Sequence, residues 1–272
     1  MIEECVGLKK FALGSLAVLA TSLCLTSVSF ASTIHSARAI SHAPRISLRL
    51  PKAAKNSTTS FGWASSNWSG YAITGGPYNS ITGSWIVPTV QPSNKSTYSS
   101  SWIGIDGFNN SSLIQTGTEQ DYYNGKAHYD AWWEILPAAE TVITPSSYPV
   151  KPGDQMSADI QNLGGGTWSI EIQDKTQGWT FTTDQAYSGP QTSAEWIQEA
   201  PTVGGTVATL ANYGQTTFDP GTVNGVNPGL VTADGGVMIQ HNTQVSTPSV
   251  PDSDTDGFNV AYGSTSPAAP AS

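Results

Sequence analysis

Two side chains combine usable chemistry with surroundings that do not call for it. Gln115 falls in Leu113-Ile114-Gln115-Thr116-Gly117 and Glu195 in Ser193-Ala194-Glu195-Trp196-Ile197, runs that otherwise read as sheet core. A buried amide or carboxyl is costly unless it is hydrogen-bonded or used. Other chemistries are poorly supplied. Beyond the basic leader the histidines are His128 and His241, neither in the context of a serine triad, and no His/Cys cluster suits zinc. Asp252-Ser253-Asp254-Thr255-Asp256-Gly257 resembles the first half of an EF-hand loop. Gly263 stands where that loop needs its closing glutamate, and no helices flank it. The stretch reads as an acidic turn, and no metal or organic cofactor is expected.

The elements that must hold Gln115 and Glu195 are strands. Short alternating runs separated by Gly, Pro, Asn and Ser clusters fill residues 61–263, with no sustained helical period. The predicted strands are Trp68 to Ile73, Ile81 to Val87, Ser100 to Asp106, Leu113 to Glu119, Ala127 to Ile135, Gln155 to Gln161, Trp168 to Asp174, Gly178 to Thr183, Ser193 to Ile197, Gly235 to His241 and Gly257 to Tyr262. That spacing predicts one all-β domain, a sandwich or barrel of antiparallel strands. Residues 264–272, a Ser/Ala/Pro tail, are expected to be disordered.

Side chains alternate across a strand, so the faces can be assigned. Gln115 shares its face with Leu113, Gly117 and Glu119. Trp102 and Asp106 point away from Ile103 and Ile105, and Asp130, Trp132 and Glu134 lie together. A concave face lined by these carboxylates, amide and tryptophans would make a cleft for an extended polymer.

Composition places that domain behind a processed front end. Residues 1–31 read as a secretory signal, with Lys9 and Lys10 before an apolar run to Leu25, so the protein is expected to be secreted. Cys5 and Cys24 both lie inside it. Residues 32–60 form a basic linker or pro-segment carrying Arg38, Arg45, Arg49, Lys52 and Lys55 and no acid. From Asn56 onward the balance reverses to four lysines, no arginine and 18 of the chain's 20 carboxylates. So acidic a surface disfavours nucleic acid as a partner and suits an acidic medium. The basic leader could sit on the acidic domain by charge attraction, which would fade as carboxylates protonate.

Six ordered blocks then match one family. Asn67-Trp68-Ser69-Gly70-Tyr71, Ile81-Thr82-Gly83-Ser84-Trp85-Ile86-Val87-Pro88, Trp102-Ile103-Gly104-Ile105-Asp106-Gly107, Leu113-Ile114-Gln115-Thr116-Gly117, Tyr129-Asp130-Ala131-Trp132-Trp133-Glu134 and Ala194-Glu195-Trp196-Ile197 resemble, in order and spacing, the glutamic peptidases or eqolisins. The resemblance implies a β-sandwich of two antiparallel sheets of the lectin/glucanase (jelly-roll) type. It also implies a secreted, acid-acting endopeptidase of polypeptides, made with a pro-segment that could act as an intramolecular inhibitor. The catalytic pair it implies is Gln115 and Glu195. Glu195 would take a proton from water and return it to the leaving amine, while Gln115 orients that water and donates to the oxyanion. Trp68, Trp102, Asp106, Glu119, Trp132 and Glu134 would border the cleft. A monomer, without membrane contact once the signal is removed, is expected.

The competing reading is a carbohydrate-binding or glucanase-like sandwich, since nine tryptophans suit sugar stacking. A retaining glycosidase needs two carboxyls close together, and Glu119-Gln120-Asp121 lacks a third acid at Asn124.

Overall fold

The computed structural model describes residues 39–49 and 61–272. The expected signal at 1–31 lies outside the described residues, as does the leader except for 39–49. The described residues all fall within one compact unit. Among the described residues no helix is long and apolar enough to cross a membrane.

Nineteen strands carry the described residues. The first eight are β1 (Ile40–Ser41), β2 (Ser47–Leu48), β3 (Trp63–Ser65), β4 (Trp68–Thr74), β5 (Ser80–Ile86), β6 (Ser100–Ile105), β7 (Ile114–Tyr123) and β8 (Lys126–Ile135). There follow β9 (Thr141–Ile143), β10 (Gln155–Gly164), β11 (Thr167–Asp174), β12 (Trp179–Ala186), β13 (Ser193–Glu199), β14 (Thr202–Val203) and β15 (Thr206–Val207). The last are β16 (Gln215–Val223), β17 (Gly235–Gln240), β18 (Thr243–Pro248) and β19 (Phe258–Tyr262).

Pairing runs β12-β11-β10-β5-β16-β19-β18-β17-β4-β13-β6-β7-β8-β9, antiparallel throughout, with β3 added parallel to β17. The path doubles over into two layers, because the alternating strands have an apolar face to bury. In β11, for example, Trp168, Ile170 and Ile172 point inward between partly or fully exposed neighbours. Hydrogen bonds cross between the layers: Trp85 Nε1 donates to Thr118 Oγ1 at 3.0 Å, and Trp196 Nε1 to the Thr82 carbonyl at 2.9 Å. The expected sandwich of two antiparallel sheets is the fold.

β6 and β13 are buried along their whole lengths. Ile103, Ile105, Ala194 and Trp196 face the main core. Trp102 and Ile197 face the other way, into a second apolar cluster with Trp63, Trp68, Ala72, Leu113 and Trp132. That second face also carries Gln115 and Glu195.

Each predicted strand is present, with ends moved by a few residues at most. β16 and β18 were not foreseen, nor were the short strands β1, β2, β3, β9, β14 and β15. Pro220 lies inside β16, and the chain accommodates it where pairing with β5 shifts register between Phe218 and Gly221. β18 is polar and ends on Pro248. The tail expected to be disordered is tied to β18 and β19: Ser266 Oγ donates to the Pro248 carbonyl and Asn259 Nδ2 to the Ala268 carbonyl, each at 2.8 Å.

Candidate active site

Antiparallel register puts the two key residues on one line across the sheet. Gly104 of β6 pairs with Glu195 of β13 on one side and with Gln115 of β7 on the other. Ala72 and Glu134 extend the row at its two ends. Directly paired residues point to the same face, so Gln115 and Glu195 face each other across a glycine, their backbones about 10 Å apart. Gly104 keeps that gap open; a β-carbon there would lie 2.9 Å from the Trp102 ring and 3.1 Å from the Ile114 carbonyl oxygen. Two residues along, the next row is Gly70, Ile197, Trp102, Gly117, Trp132 and Val142. The row after that runs Trp68, Glu199, Ser100, Glu119 and Asp130.

Across these rows lies the chain's own leader. β1 pairs with β14 and β2 with β3, so residues 40–48 are fixed at both ends. Between them, Trp68 Nε1 donates to the Ala43 carbonyl at 3.0 Å, and Asn67 Nδ2 to the Ala43 and Pro44 carbonyls at 3.3 and 3.2 Å. Gln115 Nε2 donates to the His42 carbonyl at 2.8 Å and to Glu134 Oε2 at 3.0 Å. Glu134 also accepts from the His42 amide at 2.8 Å and from Ser41 Oγ at 2.7 Å. Further along, Arg45 lays its guanidinium 3.9 Å above the Phe108 ring centroid and donates through Nε to the Phe108 carbonyl at 3.0 Å.

The His42 side chain enters a slot of its own. Its ring stacks on Trp132 with centroids 3.5 Å apart and planes within 5°. Nδ1 lies 3.0 Å from Glu199 Oε2, and Nε2 lies 3.1 Å from Glu140 Oε2 and 3.6 Å from Glu119 Oε1. The ring is fully buried. Burial alone would push the imidazole pKa down, but the carboxylates of Glu140 and Glu199 outweigh it and hold it up at about 10. Contacts at both ring nitrogens fit the imidazolium, in which both nitrogens are donors.

The carboxyls under the segment are held above their usual range. Burial pushes Glu195 and Glu119 well above it. Burial likewise lifts Glu134 to about 7, against the pull of His42, and Asp130 to about 7 with help from Glu140. Neither oxygen of Glu195 nor Oε1 of Gln115 has a hydrogen-bond partner among the described residues.

Of the residues expected to border the cleft, Trp68, Trp102, Glu119, Trp132 and Glu134 all lie on this face. Trp102 Nε1 anchors Glu199 at 2.8 Å, and Trp132 Nε1 donates to Ser100 Oγ at 3.1 Å. Asp106 differs. At φ 74° it leaves the alternation that would have aimed it into the cleft. Instead it accepts from the Gln191 and Thr192 amides at 2.8 and 2.9 Å and from the Tyr187 hydroxyl at 2.6 Å. It thereby ties down the turn that leads into the Glu195 strand.

His42, Arg45, Glu140 and Glu199 were not singled out from the sequence. Glu199 had a signal, standing four residues after Glu195 and so on the same face. Glu140 lies outside any strand and had none.

Known proteins locate this arrangement. Residues 66–262 match the Peptidase A4 family. Aspergillopepsin-2 from Aspergillus niger is 29% identical over 180 residues, which are 57% of this chain and 62% of that protein, so the chain spans under two thirds of that relative. The crystal structure of scytalido-glutamic peptidase with a transition state analog inhibitor superposes with a TM-score of 0.60 at 22% identity, covering 72% of this chain and 98% of the other. Aspergilloglutamic peptidase from Aspergillus niger gives 0.54 at 25% identity, covering 61% and 99%. With the family match running from the strand of Trp68 to the end of β19 and the sandwich shared with these structures, the chain belongs to the Peptidase A4 family, the glutamic peptidases.

Proposed function

We propose that this protein is a secreted, acid-acting endopeptidase that hydrolyses peptide bonds with Glu195 and Gln115, and that residues 40–48 hold it latent. The observation that carries this reading is the 2.8 Å hydrogen bond from Gln115 Nε2 to the His42 carbonyl. That carbonyl stands in for the one a substrate would present. Placed so, the amide polarises the carbonyl and continues to donate as its oxygen becomes an oxyanion. Glu195, as carboxylate, takes a proton from water whose oxygen bonds to the carbonyl carbon. The same proton then passes to the departing amine nitrogen as the C–N bond breaks. No metal ion is needed for these steps.

Latency has two physical sources. The segment lays its own backbone across the catalytic face, and the full burial of Glu195 in this covered state pushes its carboxyl pKa well above the usual range, disfavouring the carboxylate that would act as base.

The His42 slot supplies a substrate preference. A chain lying as the segment does places the side chain of the residue bearing the polarised carbonyl between Trp132 and the carboxylates of Glu119, Glu140 and Glu199. Histidine fits there, and a cationic side chain is favoured over an anionic one.

Zymography of the processed protein tests the class. Clearing of casein at acid pH in the presence of pepstatin is the expected result. Clearing of β-glucan instead, or abolition by pepstatin, would replace the reading with a glucanase or an aspartic-type enzyme.

A further inference from the structure

The acidic turn of Asp252 to Gly257 takes no part in the cleft, and the fold changes its meaning. Asp219, more than thirty residues earlier, is delivered to it by β16. One carboxylate oxygen from each of Asp219, Asp252 and Asp256 lies within 4.8 Å of the others. Asp252 is 94% buried, at 6% relative exposure. Its Oδ1 accepts the Asp256 amide at 3.2 Å, while its Oδ2 has no partner among the described residues; neither has Asp256 Oδ1. A buried carboxylate oxygen left unpaired is costly.

No cation among the described residues pairs with these carboxylates. Among the described residues every ion pair involves His42. Lys175 lines a surface groove with Asp219 but forms no ion pair with it. Burial first, then mutual repulsion with Asp252 and Asp254, pushes the pKa of Asp219 and Asp256 up. The backbone nevertheless draws the acids together. Gly257 has no side chain, and a β-carbon there would lie 2.5 Å from Asp252 Oδ2 and 2.7 Å from Asp219 Cγ. Asp252 donates its amide to the Gly257 carbonyl at 3.0 Å, and Gly221 donates to the Asp256 carbonyl at 2.9 Å. A fold that closes a turn around converging, unpartnered carboxylate oxygens has the form of a cation cage.

We infer that Asp219, Asp252 and Asp256 bind one calcium ion, with Asp219 taking the place of the closing glutamate that the sequence motif lacks. The chemistry selects the ion. Three carboxylates with no imidazole or thiolate favour a hard cation. Among hard cations calcium accepts an irregular set of six to eight oxygens, whereas magnesium demands a near-regular octahedron that it fills largely with water. The remaining ligands would be water and main-chain carbonyls, as in other calcium loops. The ion would staple β16 to the loop before β19. Because the ligands must be ionised, binding weakens as pH falls.

The test is calorimetric titration of the purified full-length chain, stripped with a chelator, with calcium chloride at near-neutral pH, alongside melting curves. The expected result is one saturable site and a calcium-dependent rise in melting temperature, both lost in Asp252→Asn and in Asp256→Asn. Glu119→Gln, in the acidic group around His42, keeps both. Asp256 is partly exposed, so its variant remains informative where that of buried Asp252 fails to fold. No saturable binding in the parent chain, or binding that survives in Asp256→Asn, overturns the inference.

Discussion

The ring of His42 lies flat on Trp132, centroids 3.5 Å apart, while both of its nitrogens face carboxylates. A side chain of the basic leader is therefore the most completely enclosed cation among the described residues, and it belongs to the residue whose own carbonyl Gln115 engages.

Removing that side chain should loosen the segment. His42→Ala leaves Glu140 and Glu199 without their cation and gives up the Trp132 stack, a loss of about 2 kcal/mol or some thirtyfold in the segment's grip. Peptide hydrolysis by the unprocessed chain is the readout, and it should rise by at least about tenfold over the parent. Unchanged latency would show that the strand pairings at either end suffice.

The pH dependence of that grip has a definite sign. His42 is raised in the complex from 6.5 to about 10, so it strengthens binding fully below 6.5 and ceases to do so as pH rises through 10. Glu134, raised from 4.5 to about 7, and Asp130, raised from 3.8 to about 7, also favour the protonated, covered state; their contribution grows as pH falls below 7. Glu119 and Glu199 are raised too. Glu140 faces the same ring, and Arg45 is the other segment cation at the cleft. A synthetic peptide spanning residues 39–49 should thus inhibit the processed enzyme more tightly at mildly acid than at neutral pH. Weakening over that interval would mean that loss of net charge attraction dominates, as the composition alone suggests. With the predicted sign, activation requires cutting the segment rather than releasing it by acid.

Substrate choice should follow the slot. Peptides with histidine before the cleaved bond should exceed their aspartate counterparts by about tenfold or more in kcat/KM, and Glu199→Gln should narrow that ratio mainly through KM. Equal rates for the two peptides would detach the slot from specificity.

How far these features could be read from the sequence depends on which interactions are local. Strand alternation grouped Gln115 with Glu119 and Trp132 with Glu134, and the register of β7 on β8 brings the two groups onto one face. Asp106 escaped because a single positive φ takes it out of the pattern. His42 and Glu140 lie in stretches without periodicity, and their meeting depends on chain crossings 98 residues apart in sequence. The approach of Asp219 to the acidic turn was illegible for the same reason, since it reaches Asp252 and Asp256 only through a strand interrupted by Pro220.

The most direct measurement is the rate at which the processed domain cleaves a defined peptide at acid pH, for the parent, Glu195→Gln and Gln115→Ala. Removing the only base proposed for the attacking water should cost at least about a thousandfold, and removing the oxyanion donor about a hundredfold or more. Near-parental cleavage by folded Glu195→Gln would contradict the account at its centre.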